Sequence, residues 1–357
     1  MKRSPFVLTA AIGLAALLAL SGCATGTATP SSSSGKVDAA AILKQAGADK
    51  PDPKIVCAGG KQYTLGYDAF SDTETFSVQE WLGLQKLAKN LGCVKLERLI
   101  DNADATQALQ NANIFVQKQV DGVMTFNIIA AAAPGQARVF KTAGIPAITV
   151  GISAPDLPFV TVDEAAAGAQ AGAALAKAFI KSGASGAPYL IVARNDVVGP
   201  VGIERMDGVT TGAKSVIKDL PADHILPIQA GDPAQAQART LDVLGNVPDG
   251  ATILFTGIND DIGYGVFRGI VQAGRQSDAI GVSLGAVRPG GLNYICQNKQ
   301  YAGGVSYQPD KFANYMIPAL IALINGADVP AQLIVPTRYL ASADIATTYP
   351  DFTCGDQ

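Results

Sequence analysis

The chain has a single histidine, His224, and a single tryptophan, Trp81. Aromatic residues make up 6% of it and charged residues only 16%. One histidine rules out a histidine-rich metal site, and it leaves one imidazole at most for acid–base chemistry. Cys-x-x-Cys spacing is absent, which argues against a four-cysteine metal centre. A Walker A sequence and a well-placed Gly-x-Gly-x-x-Gly are absent too, so nothing offers a phosphate cradle. The net charge of −3 gives no basic footprint for nucleic acid. The apolar run Phe6 to Leu20 is too short for a lasting membrane span. No metal and no cofactor is expected.

What is present is a large supply of core. Hydrophobic residues are 48% of 357, enough for two modest lobes. Lys2 and Arg3 precede the apolar run, and Leu20-Ser21-Gly22-Cys23 follows it. That order reads as a secretory leader over residues 1–22. The tetrapeptide resembles the lipobox of bacterial lipoproteins, which implies lipidation of Cys23 and a place on the extracytoplasmic face of the cell membrane. Residues 23–56 read as a flexible tether, because Thr25 to Gly35 is Thr, Ser, Gly and Pro without apolar periodicity. A weak helix is expected over Val37 to Ala48, and the folded body from near Cys57.

Apart from Cys23, the cysteines are Cys57, Cys93, Cys296 and Cys354. An even number outside the cytoplasm points to two disulfides, and three pairings are open. Cys57 and Cys93 each precede an expected strand, and those strands should be neighbours in a parallel sheet. Cys57–Cys93 is therefore preferred, which leaves Cys296–Cys354.

From Gln62 onward, strand and helix alternate. Strands are expected at Gln62–Tyr67, Val94–Ile100, Val120–Phe126 and Ile145–Val150, with helices at Glu74–Leu91, Thr106–Gln119, Ala130–Ala143 and Asp163–Ser182. A second series has strands at Tyr189–Ala193, Ile225–Gln229, Thr252–Thr256, Ile280–Leu284 and Tyr301–Ser306. Its helices are Val201–Lys218, Pro233–Leu244, Asp260–Ala273 and Pro309–Asn325, before an extended stretch Gln332–Tyr339. Such alternation means parallel sheets covered on both faces. Two series suggest an α/β protein of two doubly wound lobes that bind a ligand beyond the carboxyl ends of their strands.

Several segments, taken in order, resemble the periplasmic sugar-binding proteins of the ribose-binding type: Ser71 to Phe76, Val120-Asp121-Gly122-Val123, Gly144-Ile145-Pro146-Ala147-Ile148, Glu204 to Val209, and Phe255 to Asp261 followed by Arg268 and Ala273-Gly274. The likeness spans about Tyr63 to Tyr339. It implies a type I periplasmic binding protein, two Rossmann-like lobes joined by a hinge. The lobes would be 57–160 plus 308–335 and 161–307 plus 336–357. It also implies a monomeric receptor that hands a sugar or other small polar solute to an ABC permease, or reports it to a membrane sensor kinase. The family's ligand contacts fall on Glu74, Phe76, Asn259, Asp260, Tyr307 and Ser283. Two departures stand out. Where the sugar binders carry Asp-Arg after the Gly-Ile-Pro strand, this chain has Gly151-Ile152. Where their second-lobe helix presents an arginine, it has Ile203. Arg194 and Arg205 read as surface or interlobe salt bridges, and Trp81 as core.

Gly281-Val282-Ser283-Leu284-Gly285 matches the nucleophile elbow of hydrolases. A triad on Ser283 needs a histidine after the serine in that fold, and His224 precedes it. An enzyme is therefore not expected. Gly168 and Gly172, on an alanine-rich helix, read as close packing.

Overall fold

The computed structural model describes residues 37–355. The expected leader, the anchor at Cys23 and the Thr25–Gly35 tract lie outside the described residues. Two short helices come first, α1 (Ala39–Leu43) and α2 (Pro53–Val56). Asp38 and Asp52 cap them, accepting from Ala41 N and Lys54 N. Ile42 and Val56 are fully buried. The tether expected to reach residue 56 is therefore shorter: burial of these two side chains ties residues 39–56 to the body. Asn314 adds a hydrogen bond to Ala48 O at 2.9 Å.

The remaining elements run β1 (Tyr63–Ala69), α3 (Thr75–Leu91), β2 (Val94–Ile100), α4 (Ala105–Gln117), β3 (Gly122–Asn127), α5 (Ala133–Ala143), β4 (Ala147–Gly151), β5 (Phe159–Thr161) and α6 (Glu164–Ser182). Then follow β6 (Tyr189–Arg194), α7 (Pro200–Val216), β7 (Ile225–Gln229), α8 (Pro233–Leu244), β8 (Ile253–Gly257), α9 (Asp260–Gln272), β9 (Ala279–Gly285), α10 (Gly290–Gln297) and β10 (Tyr301–Ser306). The chain closes with α11 (Pro309–Ile324), β11 (Gln332–Ile334), β12 (Arg338–Ala341) and α12 (Ile345–Thr348).

The strands form two six-stranded sheets, ordered β11-β5-β4-β3-β1-β2 and β12-β10-β9-β8-β6-β7. Among the described residues only the β10–β12 pair is antiparallel. Every residue of β3 and β8 is buried, as expected of central parallel strands covered on both faces. This is the two-lobed α/β architecture read from the alternation. Asp104, Asp163, Asp232 and Asn259 begin α4, α6, α8 and α9, each accepting an amide three residues on at 2.8–2.9 Å.

The chain passes between the sheets three times, at residues 162–163, 307–308 and 335–337. The third passage starts against the end of β5, just before the first: Val335 N donates to Thr161 O at 2.7 Å. Helices α6 and α7 pack backbone to backbone. A Cβ on Gly168 would lie 1.9 Å from Arg205 O, and one on Gly172 would lie 1.9 Å from Val209 O. Disulfides join Cys57 to Cys93 and Cys296 to Cys354.

Candidate functional site

A cavity of about 270 Å³ lies where the carboxyl ends of both sheets meet. Residues just past β1, β3, β4 and β5 line it from one sheet, and residues past β6, β8, β9 and β10 from the other. Strand ends of parallel sheets leave backbone groups and helix N-termini facing open space, so ligand sites collect there.

Five of the six expected contacts line it: Glu74, Phe76, Asn259, Asp260 and Tyr307. Glu74 is the residue before α3, and its carboxylate accepts from Ser77 N at 2.8 Å. The loop ahead of it is fixed by Ser77 Oγ and Arg98 Nη2, which both donate to Ser71 O. Burial holds the Glu74 carboxyl above its ordinary pKa, opposed by its backbone hydrogen bonds; the charge of Asp261 raises it further. Phe76 meets Phe126 and Phe312 edge-on, at centroid distances of 5.4 and 5.3 Å. Together with Phe70 these rings give the cavity an aromatic wall.

Asn259 uses its Oδ1 to cap α9 at Ile262 N, 2.9 Å away. Asp260 is committed more completely. Its carboxylate accepts from the Ser283 hydroxyl, Ala286 N (2.9 Å) and Val287 N (3.0 Å). Burial pushes its pKa up to about 7 against those donors. Asp260 therefore clasps the end of β9 and the loop after it, where Leu284, Gly285 and Val287 line the cavity. Ser283 was expected as a ligand contact. It is buried behind the lining, with its hydroxyl turned to Asp260. The lone histidine is at the other end of that sheet, beside the start of β7, stacked on Tyr189 at 3.9 Å.

Tyr307 sits at the second passage between the sheets. Its ring carries the Arg205 guanidinium at 5.0 Å, and its hydroxyl donates to Glu164 at 3.4 Å. Arg205 Nε donates to Glu164 Oε2 at 2.7 Å and Nη1 to Ile258 O at 2.7 Å. Although burial opposes its charge, the neighbouring Glu164 raises the Arg205 pKa above its ordinary value.

Arg205 lines the cavity, which its sequence context does not mark, whereas the family's helix arginine falls on Ile203. Ile203 is exposed. Val201, Gly202 and Arg205 line the cavity instead, and their three- and four-residue spacing marks that face of α7. Arg194 pairs with Asp196 and Asp207, outside the cavity lining. Trp81 is half-buried against the core: it stacks on buried Tyr67 at 5.7 Å, and the Arg98 guanidinium lies 5.1 Å from its ring.

Gly151 explains one departure. Its φ is +76°, and a Cβ there would lie 2.6 Å from Asn127 O and 2.7 Å from the Phe126 ring. No side chain fits, so the carboxylate that the sugar binders carry at this point has no room.

Residues 69–328 match the family model for the periplasmic binding protein domain. Among curated proteins, no sequence matches significantly. Many solved structures share the fold. One is an ABC transporter solute-binding protein from Bacillus halodurans C-125 with bound myo-inositol: 16% identity, TM-score 0.68, covering 82% of this chain and 99% of that one. A second, from Actinobacillus succinogenes 130z with bound D-allose, has 16% identity and TM-score 0.69 over 80% of this chain and 100% of that one. A third, from Mycobacterium smegmatis with bound glycerol, has 18% identity and TM-score 0.68 over 83% and 98%.

Proposed function

Because the chain belongs to the periplasmic binding protein family, we propose that it is the extracytoplasmic solute receptor of an ABC importer, capturing a sugar- or polyol-sized molecule between two lobes. The observation that carries this reading is the cavity at the carboxyl ends of both sheets. Its size and mixed lining suit a compact ring or short polyol. The ligands named for the similar structures, myo-inositol, D-allose and glycerol, support the same size class.

The lobes of the proposal are residues 57–160 with 308–335 and residues 161–307 with 336–357. Three backbone passages between sheets would serve as the hinge, and closure about such strands is a known repertoire. Phe76 supplies an apolar ring face, with Glu74, Asn259, Arg205 and Tyr307 as polar contacts and Asp260 as support. Cys23 carries the lipid that holds the receptor beside its permease. Loss of incorporated radiolabelled palmitate in Cys23→Ala tests the anchor.

A thermal-shift and calorimetric screen of monosaccharides, polyols and their amino derivatives tests the capture role. A ligand at 100 times its Kd stabilises the folded state by about 2.7 kcal/mol. Phe76→Ala should lower affinity at least tenfold while leaving the ligand-free melting temperature within a few degrees. A folded protein that no member of the screen stabilises would overturn the reading.

A further inference from the structure

The charges around the cavity do not balance, and they fail to balance in one direction. Among the described residues Arg205 is the only cationic side chain in the lining, and Glu164 pairs with it at 2.7 Å. That pair adds no net charge. The Asp260 carboxylate is occupied by one hydroxyl and two amides. Two acids remain, Glu74 and Asp261, and neither forms an ion pair among the described residues. Asp261 accepts from the Tyr294 hydroxyl at 2.8 Å through Oδ1; no protein partner meets its Oδ2 among the described residues.

The two acids come from opposite sides. Glu74 opens α3, which packs with the first sheet; Asp261 lies in the first turn of α9, which packs with the second. They are near enough that the charge of Asp261 disfavours ionisation of Glu74. The cavity they share is largely apolar, with the rings of Phe70, Phe76 and Phe126 in its lining. A neutral, fully hydroxylated ring would leave the two carboxylates repelling one another in a partly dry site. An ammonium between them would remove that repulsion and gain attraction from the ring faces.

Resting on the solute-receptor reading, we infer that the natural solute carries a positive charge: an amine-bearing sugar or polyol, its ammonium held between Glu74 and Asp261. The charge then also serves closure. One cation touching both carboxylates links the lobe that carries α3 to the lobe that carries α9, and a neutral analogue of the same shape lacks that link.

The test uses the mature protein and matched probes: D-glucose with D-glucosamine, D-glucitol with D-glucamine, and myo-inositol with its monoamino derivative. Binding is measured by calorimetry at pH 7, in low salt and in 0.5 M salt. At least one amine should bind tenfold or more tighter than its neutral partner, and the preference should shrink in high salt. Glu74→Gln and Asp261→Asn should each reduce the preference severalfold, and the double variant should abolish it while its ligand-free melting temperature stays equal or rises. Neutral members binding as tightly as the amines, or a preference that survives the double variant, overturns the inference and leaves the sugar or polyol receptor standing. Failure of all six probes to bind folded protein overturns the inference, and the broader screen then decides whether the receptor reading falls with it.

Discussion

Arg205 Nε and Glu164 Oε2 are 2.7 Å apart, and both side chains are largely withdrawn from water, at 15% and 7% exposure. Glu164 begins α6 just after the first passage between sheets; Tyr307, against both, marks the second. The pair thus ties two passages to α7. Removing one partner from a buried ion pair costs about 3–5 kcal/mol, because the other charge is left without compensation. Arg205→Ala should lower the unfolding free energy by about 3 kcal/mol in urea titration. Arg205→Ala combined with Glu164→Ala should be less damaging than the sum of the two single changes. Additive losses would show that the pair is not coupled.

Stability should rise on mild acidification. Burial pushes the Asp68 and Asp260 pKa values up to about 7 and Asp101 up to about 6, against an ordinary value of 3.8. Between pH 4 and 7 the folded protein therefore holds protons that the unfolded chain has released. Its stability falls as pH climbs through that window and levels off above it. The change is on the order of a few kcal/mol. Urea unfolding at pH 5 and pH 8 should give the larger free energy at pH 5. Asp68→Asn, which keeps a neutral group among Asn111 and Gln136, should flatten the slope whatever it does to absolute stability. A slope of the opposite sign would mean that these carboxyls are ionised in the folded state.

Most of this fold was legible in the chain because parallel sheets write themselves as apolar runs separated by capped helices. Ile225–Gln229, Pro233–Leu244 and Tyr301–Ser306 begin and end where the pattern says. Four elements escaped: the short helices α2 and α12, strand β5 and helix α10. Strand β5 is three residues long, too short to show a period, and exists through its partners Val150 and Leu333. Helix α10 opens with Gly290-Gly291, poor helix formers, and forms under packing by buried Leu292 and Ile295. The site was half legible. Glu74, Phe76, Asn259, Asp260 and Tyr307 line the cavity because strand ends and helix starts fix their positions. Ser283 stands outside the lining because a buried carboxylate needs donors, and Asp260 takes its hydroxyl. Arg205 does form the salt bridge read for it, with Glu164, but its place in the cavity lining depends on a pairing distant in sequence and did not show.

The contact between α6 and α7 yields a sharper expectation than propensity would. Alanine is the better helix former, so Gly172→Ala at an open helix site would stabilise by about 1 kcal/mol. Here the new methyl would stand 1.9 Å from Val209 O and 2.7 Å from Ala213 N. Backbone cannot swing aside as a side chain can, so the helices must separate. Gly172→Ala should destabilise by about 3 kcal/mol, the upper end of overpacking costs. Differential scanning calorimetry decides between the signs, and a stabilised variant would mean the helices lie further apart.

Gly151 joins stability to specificity. The sugar binders that the chain resembles place a carboxylate at this strand end, and restoring it here is the obvious way to seek tighter sugar binding. The backbone forbids it. At φ +76° any L side chain is strained, by about 1–3 kcal/mol. The added Cβ would also press on Asn127 O and on Phe126, a ring of the cavity wall. Asn127 cannot yield freely, since its Nδ2 donates to Gln136 at 2.8 Å and its Oδ1 accepts from Ile129 N at 2.6 Å. Gly151→Asp should therefore lose both stability and affinity for every solute the parent binds, neutral or cationic. Melting temperature and calorimetric titration of the same preparation read both. A Gly151→Asp variant that melts like the parent and gains affinity for a neutral sugar would show that this strand end can relax and that its glycine is a choice of ligand, not a demand of packing.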